Sequence, residues 1–234
     1  MVVQYSYRRD IMEITVNQIR LFYTQAGIGA PLILLHGNGE DHTIFTDLQT
    51  KLASDYTIYA IDSRDHGQSQ HDVPLSYQLM ADDIMNFTDA LQLKNITLVG
   101  FSDGAIVSML IASQRPALVH KVVLAGGNLT PQGIKAPIRF GVRATNWRKH
   151  DPLLSLMLNE PHISTKALHQ ITAQAFVIAG EKDVVKKSET VEIASAIPTS
   201  ILRIVPGASH SDYVKDNTTF YHYIAAFLQP YRTE

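Results

Sequence analysis

Ile96-Thr97-Leu98-Val99-Gly100-Phe101-Ser102-Asp103-Gly104-Ala105 is the stretch whose reading decides the fold. Ile96 to Val99 is a short apolar run of strand character, and Ala105 to Ser113 reads as a helix. Between them, glycines stand two residues before and two residues after a serine. A nucleophilic serine must project from a sharp strand-to-helix turn, and such a turn leaves no room for side chains at those two positions. The following helix aims backbone N–H groups and a positive dipole end toward a developing oxyanion. Three fixed positions of this kind occur by chance in about one chain in ten of this length, so the flanking strand and helix carry the argument. The competing reading is an ordinary glycine-rich βα turn.

Outward from this turn the same alternation repeats. Met12 to Val16 and Ile19 to Thr24 alternate in polarity around Asn17-Gln18 and predict a hairpin. Leu32 to Leu35, Thr57 to Ile61, Lys121 to Leu124, Ala175 to Ala179 and Ile201 to Val205 are short apolar runs, bounded by turn residues as interior parallel strands are. A helix is expected from an N-cap at Ser76 through Met80, Ile84, Phe87 and Leu91, and a last one after Asn217 with Phe220, Ile224 and Phe227 inward. The pattern predicts an α/β protein with a mostly parallel central sheet and helices on both faces.

Residues 126–172 break the alternation. Four prolines interrupt them, and six cations (Lys135, Arg139, Arg143, Arg148, Lys149, Lys166) face only Asp151 and Glu160. A long excursion between two strands is usually functional, and a short lid after the sixth strand is expected. The organisation is then one domain: core at 1–125, lid insertion at 126–172, core again at 173–234. The first eleven residues read as a loosely held extension.

Composition narrows the function. At 234 residues, 45% hydrophobic and 18% charged, the chain can bury one substantial core. A net charge of -2 gives no reason to expect nucleic acid or a membrane as partner. Cysteine is absent, which excludes disulfides, thiolate chemistry and cysteine-bound metal. No apolar run is long enough to span a bilayer, and Met1 to Asp10 fits no export signal, so a cytoplasmic location is the default expectation. Neither zinc-ligand spacing nor a P-loop nor a dinucleotide fingerprint appears, so no metal or cofactor is expected.

Further chemistry is sought at the other strand ends, which share one sheet edge with the Ser102 turn. Leu32 to Leu35 runs into His36-Gly37-Asn38-Gly39, where a glycine-flanked turn can direct an N–H inward. The Asn38 and Asp103 N–H groups are the candidate oxyanion donors, with the Asn38 side-chain amide as a further possibility and a plain turn as the alternative. Ala175 to Ala179 is followed by Gly180-Glu181-Lys182-Asp183, and Ile201 to Val205 by Pro206-Gly207-Ala208-Ser209-His210. Of ten histidines, His210 alone follows a late strand through a glycine-containing loop. His210 is therefore the candidate base and Asp183 the candidate acid, with Glu181 as rival.

From about Met12 to Leu228 the chain resembles the serine-nucleophile branch of the α/β-hydrolase fold family. The resemblance rests on His36-Gly37, Asp62-Ser63-Arg64-Asp65-His66-Gly67-Gln68-Ser69, Gly100 to Gly104, Asp183 and His210, which stand in the family's order. Asp65 departs from the family's usual glycine, a change that aspartate's tolerance of left-handed backbone makes harmless. Arg64 and His66 are expected to be structural. Gly100 to Gly104 together with Gly127-Asn128-Leu129-Thr130-Pro131 is similar, more weakly, to the valacyclovir-hydrolase-like (biphenyl-hydrolase-like) subgroup.

The resemblance implies hydrolysis of a small-molecule ester through an acyl-enzyme on Ser102, without a cofactor. A ligand sensor or a lyase on the same fold remains the alternative. Two substrate ideas oppose each other. The basic excursion, with Arg139 and Arg143 as candidate contacts, suggests an anionic substrate unless it is a solvated helical face. The Asp103 carboxylate suggests an ammonium group, unless that side chain points to solvent.

Overall fold

The computed structural model describes residues 10–229. Asp10–Val16 (β1) and Ile19–Ala26 (β2) form the expected hairpin, with Asn17 and Gln18 both at positive φ (48° and 62°) as a two-residue connection requires. Asp10 and Ile11 already belong to β1, so the strand opens two residues before Met12. The rest of the proposed N-terminal extension lies outside the described residues.

Ala30–Leu35 (β3), Thr46–Leu52 (α1), Tyr56–Ile61 (β4), Tyr77–Ala90 (α2), Ile96–Phe101 (β5), Asp103–Gln114 (α3) and Val119–Ala125 (β6) follow. Next come Ala136–Lys149 (α4), Pro152–Asn159 (α5), Thr165–Leu168 (α6), Gln174–Gly180 (β7), Lys187–Ala196 (α7), Ser200–Val205 (β8), Asp212–Lys215 (α8) and Asn217–Leu228 (α9). The eight strands form one sheet in the order β1-β2-β4-β3-β5-β6-β7-β8. β2 pairs antiparallel with β1 and β4, and every pairing from β4 through β8 is parallel.

The period-2 geometry of a strand splits its side chains between two layers. Ile33 and Leu35 of β3 face the layer with α2, α3 and α7, and Leu32 and Leu34 face the layer with α1 and α9. Both faces are therefore apolar, which is why the central runs read as unbroken hydrophobic segments. β8 departs from that expectation. Among the described residues it pairs only with β7, and Ile201 and Leu202 are 56% and 39% exposed. An edge strand lacks a covering neighbour, so the apolar string at 201–205 marks a border and not an interior.

Two helix starts shift slightly. α3 begins at Asp103, directly after the serine, and α9 is capped by Asp216, whose carboxylate accepts from Thr218 N and Thr219 N. Ser76 caps α2 as expected, its Oγ accepting from Leu79 N at 3.1 Å.

No strand forms within 126–172, where a short 3-10 turn, α4, α5 and α6 join β6 to β7. This excursion is partly woven into the core. Leu129, Leu156, Ile163, Leu168 and Ile171 are buried with α2 and α3. Glu189 of α7 clasps its start, accepting from Leu129 N and Thr130 N at 2.8 and 2.9 Å. Among the described helices, α4 alone has no buried residue.

Candidate active site

Ser102 sits at φ 53°, ψ -112°, a conformation that β-branched and bulky side chains avoid. Two close approaches hold it there. A Cβ at Gly100 would lie 2.2 Å from Gly104 O, and one at Gly104 would lie 2.0 Å from Leu35 O. The glycine spacing is thus a steric demand of β5, α3 and β3 meeting. Ser102 N donates to Ala125 O at 2.8 Å, and Gly104 N donates to His36 O at 3.0 Å, tying the turn to both neighbouring strand ends.

Asp183 and His210 follow β7 and β8, further along the same sheet edge. Ser102 Oγ donates to His210 Nε2 at 3.0 Å, and His210 Nδ1 donates to Asp183 Oδ1 at 2.7 Å. A carboxylate only accepts, which assigns the proton to Nδ1 and leaves Nε2 free to take one from serine. Asp183 is 2% exposed and also accepts from Val185 N and Gly180 N, at 2.9 and 3.3 Å. Gly126 makes room for the imidazole, since a Cβ there would lie 2.8 Å from His210 Cε1. The rival acid, Glu181, is exposed and accepts from Gly207 N at 2.8 Å, so it braces the loop that carries His210.

The turn after β3 packs directly against Ser102, since a Cβ at Gly37 would lie 3.1 Å from Ser102 Cβ. His36 is buried, its Nε2 accepts from Ser63 N at 3.0 Å, and its Nδ1–H donates to Gly37 O at 2.8 Å. Burial, reinforced by the neighbouring His66 ring, pushes its pKa down to about 4, so it stays a neutral brace. Neither the Asn38 N–H nor the Asp103 N–H donates to an acceptor among the described residues, and both residues line the cavity beside Ser102. The Asn38 side-chain amide is engaged, donating to Asp103 Oδ2 at 2.9 Å and Leu153 O at 3.3 Å. That leaves the backbone as the donor available from Asn38.

Asp103 corrects the idea that its side chain points to solvent. It is 5% exposed, and its Oδ1 accepts from Tyr77 OH at 2.8 Å. Burial raises its pKa above the usual carboxylate range, against the lowering effect of the Asn38 and Tyr77 hydrogen bonds. Tyr77, first residue of α2, escaped the sequence reading because no motif marks it; only its place after the Ser76 cap could have drawn attention.

The cavity holds about 300 Å³ and is walled by Phe101, Ile134, Ile138, Met157 and Val185, with Glu40, Glu160 and Lys215 at its polar side. Lys215 Nζ is 3.4 Å from Glu40 Oε1, and Glu160 Oε2 accepts from Tyr77 N at 3.0 Å. Arg139 and Arg143 do not line it. Arg139 bends toward the carbonyls of Pro131 and Ile134, and Arg143 is exposed. A count of charges along a helix says nothing of which face meets the site, so the excursion's basic balance misled here.

The 62–69 loop is scaffolding. Arg64 forks onto Asp83 of α2 at 2.6 and 2.5 Å, and Asp62 accepts from His42 N and Gln68 N. Asp65 takes φ 62° and accepts from Asp72 N at 2.9 Å, which accounts for aspartate in a glycine position. Asp41, His42 and Asp62 bring potential ligand atoms within 4.8 Å of one another. Ordinary hydrogen bonds account for that cluster, because Asp62 holds His42 Nδ1 and Asp41 caps Thr43 N.

Residues 30–151 match the model of the alpha/beta hydrolase fold family. The human serine hydrolase BPHL is 27% identical over 93% of this chain and 86% of its own length. A probable alcohol acetyltransferase of Wickerhamomyces anomalus is 38% identical over 44% of this chain and 30% of its own. Among solved structures, a thermophilic esterase from Thermogutta terrifontis superposes with a TM-score of 0.77 at 20% identity, covering 94% of this chain and 98% of that one. That last likeness speaks for the fold alone.

Proposed function

Because the chain belongs to the alpha/beta hydrolase fold family, we propose that it is a serine hydrolase cleaving a small carboxylic ester through an acyl-enzyme on Ser102. One observation carries the reading: the unbroken hydrogen-bond chain from Ser102 Oγ through His210 to a buried Asp183. Ser102 Oγ attacks the ester carbonyl while its proton passes to His210 Nε2. Asp183 holds the imidazole in the accepting tautomer and stabilises the imidazolium. The Asn38 and Asp103 N–H groups receive the oxyanion, each worth about 10²–10³ in rate. His210 then protonates the leaving alcohol, and water, activated by the same imidazole, releases the acid.

The cavity supports a small substrate, with Phe101, Ile138 and Met157 among its apolar walls. Its charges support a neutral or cationic group better than an anionic one, since Lys215 already faces Glu40 while Glu160 and Asp103 add carboxylates. Asp103 is the proposed partner of a substrate ammonium. Each of its oxygens retains a lone pair beyond the bonds to Tyr77 and Asn38. A cation docking there would offset the burial that disfavours its ionised form. An amino-acid ester should then be cleaved with a higher kcat/KM than its N-acetylated form, and equal values would remove Asp103 from amine recognition.

The partial likeness to an acetyltransferase supports a second outcome of the same acyl-enzyme, capture by an alcohol. Product analysis with ethanol present distinguishes the two. The direct test of the nucleophile is Ser102→Ala, which should abolish hydrolysis of p-nitrophenyl acetate; wild-type turnover in that variant would refute the assignment.

A further inference from the structure

We infer that the outer face of α4 is a docking surface for an anionic lipid membrane. Phe140 and Trp147 are 75% and 77% exposed, the most exposed large apolar side chains of the excursion. They stand seven residues apart, two helical turns or about 10 Å along one stripe. Ala136 and Ala144 lie along the same side, and Arg143 stands within one turn of both aromatic residues. Arg139, Val142 and Asn146, turned roughly 90–150° around the helix from the aromatic stripe, are the partly covered positions.

The charge around this stripe is one-sided. From Lys135 to His150 there are five cations and no carboxylate, in a chain whose net charge is -2. A second segment enlarges the patch. Ile134 bridges to Val185, Lys135 N donates to Val184 O and Lys186 N donates to Gly133 O, which brings exposed Lys186 and Lys187 beside Lys135. Whole-chain charge, on which no membrane was expected, hides this local excess.

Three occupants could cover such a face, and the residues favour one. A second copy of the chain would set one basic patch against another. An acidic protein would answer the charges, but would need a preformed groove for two aromatic side chains on a convex helix. A bilayer needs no groove: tryptophan and phenylalanine settle at the headgroup level, and arginine stems lie along the apolar boundary while their guanidinium groups meet phosphate.

The chain contains a single tryptophan, so Trp147 itself reports the event. Titrating the full chain with vesicles of phosphatidylcholine mixed with phosphatidylglycerol should shift Trp147 emission to the blue. High salt should reverse the shift, and phosphatidylcholine alone should give none. The double variant Arg143→Gln/Arg148→Gln should bind about thirtyfold more weakly. Phe140→Ser should also weaken binding, and both variants should keep wild-type hydrolysis of a soluble ester. Unchanged emission at excess anionic lipid would overturn the inference. A blue shift on concentrating the protein without lipid would overturn it in favour of self-association. Retention on heparin without vesicle binding would overturn it in favour of an acidic macromolecule.

Discussion

The turn from Gly100 to Gly104 and the helix from Ala136 to Lys149 differ in what fixes them. In the turn, the ends of β5 and β3 and the start of α3 approach so closely that a Cβ added at Gly104 would lie 2.0 Å from Leu35 O. In α4 no side chain is buried, and two large aromatic groups face solvent. Geometry that must hold to a fraction of an ångström sits where sterics and hydrogen bonds over-determine the chain. Residues free to meet something larger sit where almost nothing constrains them.

Substitutions should follow this division. Asp183→Asn removes the acceptor that fixes the His210 tautomer while conserving shape, and kcat should fall about 10⁴-fold with little change in Tm. A fall below tenfold, measured on an activated ester, would mean that Asp183 does not orient the base. Gly104→Ala forces a Cβ into Leu35 O and should destabilise the fold by about 3 kcal/mol or more in urea titrations. A neutral result would show that the turn can relax, and the contrast with α4 would weaken. Asn38→Ala removes the side-chain bonds to Asp103 and Leu153 but keeps the backbone N–H, so kcat should drop only about tenfold. A loss of 10³ or more would place the oxyanion donor on the side-chain amide instead. On α4, Phe140→Ser and Arg143→Gln should each alter stability by less than about 0.5 kcal/mol by the same titrations.

The contrast also explains what was legible in the sequence. All eight strands were, because a sheet covered on both faces prints unbroken apolar runs, and β8 misled only in being read as interior. The meeting of Ser102, Asp183 and His210 was legible because each follows a strand that ends at the same edge. What depended on a partner distant in sequence was not. The Asp103 side chain is turned inward by Tyr77, 26 residues earlier, and by Asn38, 65 residues earlier. The Glu40–Lys215 pair is joined only by the fold. Arg139 and Arg143 carried the right charge on a helix whose orientation periodicity could not supply, and the cavity wall takes Ile138 in their place.

The most direct measurement is the mass of the intact protein, and of its peptides, after reaction with a fluorophosphonate. A nucleophile activated by His210 should form a single adduct, carried by the peptide containing Ser102, and Ser102→Ala should remain unmodified under the same conditions. No adduct on the folded wild type, or an adduct on any other residue, would contradict the account.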